Sequence, residues 1–310
     1  MQFLNFVFYS FTILMKKAFF QLHFAVFLAG FTGVLGRLIK LNEGWLVWYR
    51  LLISSATMWI IFSLSKKLQR VSLSDILKLS GIGFLSALHW VSFYGSIKYA
   101  NVSVALVCFS ATGFFTALFE PFSSKKKVNA TEVLLGLLVI AGIYVIFHFD
   151  PKYKTGIILG VICAILLAVV MILIRQFVHK INSQTILTYQ LSGGFITLSL
   201  FMPFYLKVFP TSYIIPGFSD WMWLLVLAWF CSVLAFQFSV NALQKLSAFT
   251  VNLSFNLEPV YGILLAFFVF HENEELNWSF FIGLGLIVLA LCLQMWRVIR
   301  QAGFPAAKVL

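Results

Sequence analysis

Apolar residues run in blocks of about twenty along this chain, and polar residues collect in the short gaps between them. A helix needs about 20 residues to cross the hydrocarbon core of a bilayer. Ten blocks of that size stand out: 18–38, 45–65, 75–97, 100–121, 130–148, 156–177, 185–208, 219–243, 248–270 and 277–298. The gaps carry residues that end or expose a helix. Lys125, Lys126 and Lys127 close the fourth block, and Asp150-Pro151 separates the fifth from the sixth. Pro210 and Pro216 follow the seventh, and Glu272, Glu274 and Glu275 follow the ninth. Only Tyr99 to Val102 separate the third block from the fourth, which predicts a tight helical hairpin. The pattern predicts an all-α membrane protein of ten transmembrane helices.

A shorter pattern occurs twice. Residues 96–107 read SIKYANVSVALV and residues 242–253 read ALQKLSAFTVNL, 146 positions later. Each leaves one apolar run, passes a hinge with a lysine and enters another. Gly136 and Gly283 match at an offset of 147. Two copies of a five-helix unit are expected, over 15–150 and 151–300, with a tail at 301–310. An odd number of crossings per copy sets the copies in opposite orientations, the arrangement of transporters that open alternately to two sides. Basic residues support this. With the N-terminus on the cytoplasmic side, fifteen Lys and Arg fall at inner ends and six at outer ends, which favours both termini inside.

Composition agrees with lipid as the main solvent. The chain is 61% hydrophobic and 10% charged, with a mean hydropathy of +0.97, against about 25% charged in soluble domains. The net charge of +12 comes from residues at the ends of apolar blocks, where they anchor helices to the interface, so nucleic acid is not an expected partner. Cys108, Cys163, Cys231 and Cys292 all lie inside apolar blocks without metal-ligand spacing and read as packing residues. Residues 1–14 lack a basic start and a cleavage site. They read as an upstream start-codon artefact or a loose interfacial segment, with Met15-Lys16-Lys17 the more natural beginning. No phosphate-binding GxxxxGK[ST], HExxH, GxSxG or CxxC stretch occurs. Neither a nucleotide-driven engine nor a cofactor is expected. A carboxylate with His89 leaves an intramembrane enzyme as the rival class.

Polar residues inside the blocks are the candidate site. Glu258 stands near the centre of the ninth block, where an ionised carboxylate costs about 2.5–3.5 kcal/mol on insertion scales. It suits an amino group of a solute, a proton carried in exchange, or a structural bond to a neighbouring helix. Pro259 follows it and predicts a kink that frees the carbonyl of Phe255. Ser254, Glu258 and Tyr261 share one helical face, and Asn252 and Asn256 lie on another. The third block carries Ser86, His89, Trp90 and Tyr94; the histidine suits a proton relay or a buried local bond, and the aromatics suit a cavity wall or plain packing. Arg50 lies about 7.5 Å inside the second block. It reads either as a snorkelling anchor or as a pore-facing group for carboxylates. Gln237, Tyr189 and Gln190 are weaker cavity candidates, and Glu120-Pro121 suits a cap or a gate. The glycines at 30, 33, 36, 156, 160, 283 and 285 read as helix-packing positions.

The chain resembles the drug/metabolite transporter superfamily, and within it the EamA-like permeases. The segment ALQKLSAFTVNLSFNLEPVYGILLAFFVFHE, Ala242 to Glu272, carries the likeness: a small-polar entry, Glu258-Pro259 in mid-helix and an acidic end at Glu272. In the first copy the matching dipeptide is Thr112-Gly113, so the resemblance implies a symmetric scaffold with an asymmetric site. It also implies a bacterial inner-membrane permease whose partners are a small solute and the lipid bilayer, driven either by exchange for protons or by uniport. Export of an amino acid or related metabolite by alternating access is the implied activity. Uptake or exchange of a sugar- or nucleotide-like solute is the alternative. A basic residue in the second helix, here Arg50, is frequent in similar transporters.

Overall fold

A computed structural model describes the backbone of residues 2–124, 129–149, 151–243, 254–255 and 257–301, with most side chains from Ala18 onward. Among the described residues the structure is helical, without strands. The helices are α1 (Gln2–Leu38), α2 (Glu43–Leu64), α3 (Leu73–Tyr99), α4 (Val102–Phe109), α5 (Thr112–Ser124) and α6 (Ala130–Phe149). There follow α7 (Lys154–Arg175), α8 (Ser183–Val208), α9 (Phe218–Ala228), α10 (Ala235–Leu243), α11 (Glu258–Phe270), the single turn α12 (Glu272–Glu275) and α13 (Trp278–Gln301).

Among the described residues, eight segments are long and apolar enough to cross a membrane. Two shorter apolar helices, Ala130–Ile146 and Glu258–Phe270, join them. Apart from the first, whose helix starts at Gln2, and the ninth, the expected blocks recur among the described residues with ends shifted by a few residues, two of them interrupted. The fourth breaks between α4 and α5 and the eighth between α9 and α10. Of the ninth, only 254–255 and 257–270 are described. The second copy of the hinge pattern, 244–253, lies outside the described residues, as do the side chains of residues 1–17. The helical backbone of α1 begins at Gln2.

Caps set the helix starts. Asn42, Asn101 and Asn182 accept hydrogen bonds from the backbone N–H of Trp45, Val104 and Thr185, and Ser72 accepts one from Asp75. Each satisfies a donor that the first helical turn leaves without a partner. In a bilayer such a donor has no water to turn to.

The packing is helix on helix. α3 lies between α7 and α8, α1 packs on α10 and α11, α2 on α8, and α13 on α6. Small residues permit the closest crossings. A Cβ added at Gly83 on α3 would stand 2.0 Å from the carbonyl oxygen of Gln190 on α8. Outward-facing side chains are large and apolar, with Phe268 87% exposed and Phe122 83% exposed, as lipid contact requires.

Hydrogen bonds knit the two ends of the bundle. At one end Lys40 N–H donates to Asp220, Tyr205 donates to Glu43, and Lys98 donates to the carbonyl of Ile39. At the other, the loop before α3 meets the start of α8. Asn182 N–H donates to Gln69, and Gln69 N–H donates to Thr185.

Candidate functional site

A cavity of about 90 Å³ lies inside the bundle, lined by Ala29 and Thr32 of α1, Arg50 of α2, and His89, Trp90 and Phe93 of α3. Phe109 of α4, Cys231 and Glu258 complete the wall. Six separate stretches of chain therefore converge on it. The volume is below the roughly 300–1,000 Å³ of ordinary ligand pockets. A solute of more than a few heavy atoms enters only when the helices part.

Arg50 is held by its surroundings and is only 5% exposed. Its Nε donates to Ser232 Oγ at 3.1 Å and its Nη1 to the Tyr94 hydroxyl at 2.7 Å. The guanidinium carbon sits 4.4 Å from the centroid of the Trp90 ring, within cation–π range. These contacts exclude the snorkelling reading: the charge points into the protein. No carboxylate forms an ion pair with Arg50 among the described residues. The guanidinium has five N–H groups, and the two hydrogen bonds use two of them. It is thus oriented by neutral partners and remains a cation facing the cavity.

The partner Ser232 depends on a break in helical regularity. Residues Trp229–Leu234 form a π-helical turn between α9 and α10, and the Ser232 hydroxyl bonds the carbonyl of Leu227, five residues back. Such turns insert one residue into a helix and recur at functional sites. Here the turn presents Cys231 to the cavity and Ser232 to Arg50.

Glu258 is the first residue of α11, and Pro259 lies in the first turn. This differs from the expected kink inside a continuous helix. The chain turns through a bond from Leu257 N–H to the carbonyl of Ser254 at 3.0 Å and then starts a new helix. Proline is well placed there because first-turn N–H groups have no intrahelical acceptor. The position also puts the side chain at the N-terminal end of α11. Gly30 of α1 leaves room for this start: a Cβ there would lie 3.0 Å from the carbonyl oxygen of Glu258.

His89 lines the cavity, and its Nδ1 lies 3.0 Å from the carbonyl oxygen of Cys163 on α7. With its hydrogen on Nδ1 the ring donates to that carbonyl, and the Cys163 Sγ lies 3.2 Å from the same nitrogen. A neutral ring then leaves Nε2 as an acceptor.

Other sequence candidates have packing or bonding roles. Tyr94 is fully buried and orients Arg50. Tyr261 packs beside Leu22 and Val26 of α1 and meets Phe27 edge-on. Ser254 is buried just before the α11 start, and Gln237 is half-buried on α10; neither lines the cavity. Gln190 donates to Ser86 between α8 and α3, and Tyr189 packs against Trp59. Asn252 and Asn256 lie outside the described residues. The sequence reading missed Thr32, Phe109, Ser232 and the cavity position of Cys231. Ordinary residue types on regular apolar helices give no signal, and the π turn is decided by packing.

Comparison with known proteins fits this arrangement. The EamA-like transporter family matches the chain twice, over residues 16–148 and 154–296. An uncharacterized transporter of Bacillus subtilis (strain 168), YetK, is 22% identical over 315 residues, covering 96% of this chain and 93% of that protein. An uncharacterized transporter of Haemophilus influenzae is 24% identical over 272 residues, covering 80% and 84%. A solved crystal structure shares the fold with a TM-score of 0.56 at 18% identity, covering 94% of this chain and 98% of that one. The two family matches take in Arg50 in the first and Glu258 in the second, so each half of the chain supplies one charged wall of the cavity. With both family segments present and spanning nearly its whole length, this chain belongs to the EamA-like transporter family.

Proposed function

We propose that the chain is a ten-span permease of two inverted five-helix repeats. It exports a small organic metabolite, an amino acid or related compound, by alternating access. The observation that carries this reading is the shared cavity of Arg50 and Glu258 in the interior of the bundle. A guanidinium suits a carboxylate on the solute, and a carboxylate suits an ammonium or a proton. Intramembrane ionisable groups are costly unless they serve a pathway or a partner. Family membership and relatives named as transporters favour transport over catalysis. The excess of basic residues at one set of helix ends supports a bacterial inner membrane with both termini cytoplasmic.

Flux in proteoliposomes tests the reading. The protein is reconstituted and offered a panel of radiolabelled amino acids, sugars and nucleosides, with counterflow as readout. Saturable counterflow of an amino acid, lost in Glu258→Gln, is the expected result. Counterflow of sugars or nucleosides alone would overturn the substrate class, and no counterflow across the panel would overturn the whole reading.

A further inference from the structure

Two arginine–glutamate pairs occupy opposite ends of the bundle. Arg37, near the end of α1, pairs with Glu272 beyond the end of α11. Arg175, at the end of α7, pairs with Glu120 on α5. The two arginines hold corresponding places, each 21 residues into its family match at 16–148 or 154–296. Glu120 lies on α5, which starts at Thr112, whereas Glu272 opens α12, just past the end of α11, which starts at Glu258. Glu120 lies 8 residues beyond Thr112 and Glu272 lies 14 beyond Glu258. Equivalent arginines thus find glutamates at non-equivalent positions, and a third pair, Arg297–Glu132, joins α13 to α6.

The Arg37 and Arg175 pairs are not in the same condition. Arg175 and Glu120 are 62% and 28% exposed at their side chains, so water screens them. Glu272 has no exposed side-chain surface. Its carboxylate accepts from the backbone N–H of Val102 at 3.0 Å and of Ser103 at 2.8 Å, and from the Ser103 hydroxyl. These are the first N–H groups of α4, which a helix cannot satisfy internally and which favour an anion. One carboxylate therefore ties together the end of α1, the start of α4 and the end of α11. Below it the same three helices interlock: a Cβ on Gly33 would meet Val102, and one on Gly262 would meet Leu106. The cavity lies past this plug, with Phe109 of α4 and Glu258 of α11 in its wall.

We propose that the Arg37–Glu272 and Arg175–Glu120 pairs are the two gates of the cavity, and that Glu272 holds its end shut in this structure. Opening toward that end requires the carboxylate to leave the α4 start. Glu120 and Arg175, which already pair at 2.6 Å between α5 and α7 but stand partly exposed, then close off the other end. The inference rests on the transport reading, which supplies the need for two gates.

Cys231 in the cavity wall is a native reporter. With Cys108, Cys163 and Cys292 replaced by Ala, a membrane-impermeant methanethiosulfonate reagent is applied to one face or the other of oriented vesicles. Cys231 should react faster from the Glu120 end than from the Glu272 end. Glu272→Gln should speed reaction from the Glu272 end at least tenfold, and Arg37→Gln should do the same if the first variant fails to fold. Glu120→Gln should leave the Glu272-end rate within twofold of the starting protein. Unchanged Glu272-end reactivity in folded Glu272→Gln or Arg37→Gln overturns the gate, as does equal acceleration by Glu120→Gln. Solute flux, read separately, distinguishes the two ideas: expected accessibility shifts without flux leave the gate standing and remove transport, and flux without shifts does the reverse.

Discussion

At Thr112 a helix begins after a tightened turn, in which Ala111 N–H bonds the carbonyl of Cys108 and the Thr112 hydroxyl bonds that of Phe109. At Glu258, 146 residues later, a helix begins after a similar turn, in which Leu257 N–H bonds the carbonyl of Ser254. The backbone solution is shared; the side chains differ in what they do with it. Thr112 spends its hydroxyl on its own backbone. Glu258 turns a carboxylate into a cavity that also holds Arg50. Each family match thus contains a helix start of this kind, and a carboxylate stands at one of them. A helix that starts within the bundle presents its N-terminus there.

Exchange of these side chains is the strongest way to break the comparison. Glu258→Gln should lower solute flux at least tenfold, whereas Thr112→Val should change it less than twofold, both measured in proteoliposomes. Equal losses would mean that the two breaks are chemically equivalent. Arg50→Lys comes next. The charge stays, but the planar fork that meets Ser232, Tyr94 and the Trp90 ring is lost. The half-saturating solute concentration should rise about tenfold, or about 1.4 kcal/mol, in the concentration dependence of flux.

Scaffold substitutions sharpen the contrast between packing and chemistry. Gly83→Ala forces a methyl against the α8 backbone at Gln190 and should cost about 1–3 kcal/mol, read as a lower midpoint of thermal unfolding in detergent. Gly113→Ala should have the smallest effect. Gly113 occupies the place that corresponds to Pro259, and a Cβ there meets nothing within 4 Å. With the better helix propensity of alanine, stability should hold or rise by up to about 1 kcal/mol in the same unfolding assay.

Much of the fold is legible in the residues. Block length and the Asn and Ser caps place most helix ends within a few residues, because lipid tolerates neither polar side chains nor unpaired backbone groups. The site is legible in part. Arg50 stands out as a charge in an apolar helix, yet its depth alone leaves an anchor and a pore-facing group equally open. The neighbours Tyr94, Trp90 and Ser232 decide between them. Glu272 is the instructive failure. Its sequence neighbours Glu274 and Glu275 are the same residue type and lie exposed, while Glu272 is fully buried. Nothing local separates the three.

The sequence by itself determined an all-helical membrane protein with a duplicated hinge and rare charges inside apolar helices, because bilayer thickness and the cost of burying charge act residue by residue. Only the tertiary structure decided which charges meet. It set Arg50 and Glu258 on one cavity, made Pro259 the opening of a helix rather than a bend within one, and seated Glu272 on the start of α4. Those outcomes depend on where six stretches of chain come together, and contact between helices far apart in sequence leaves no mark in the local pattern of any one of them.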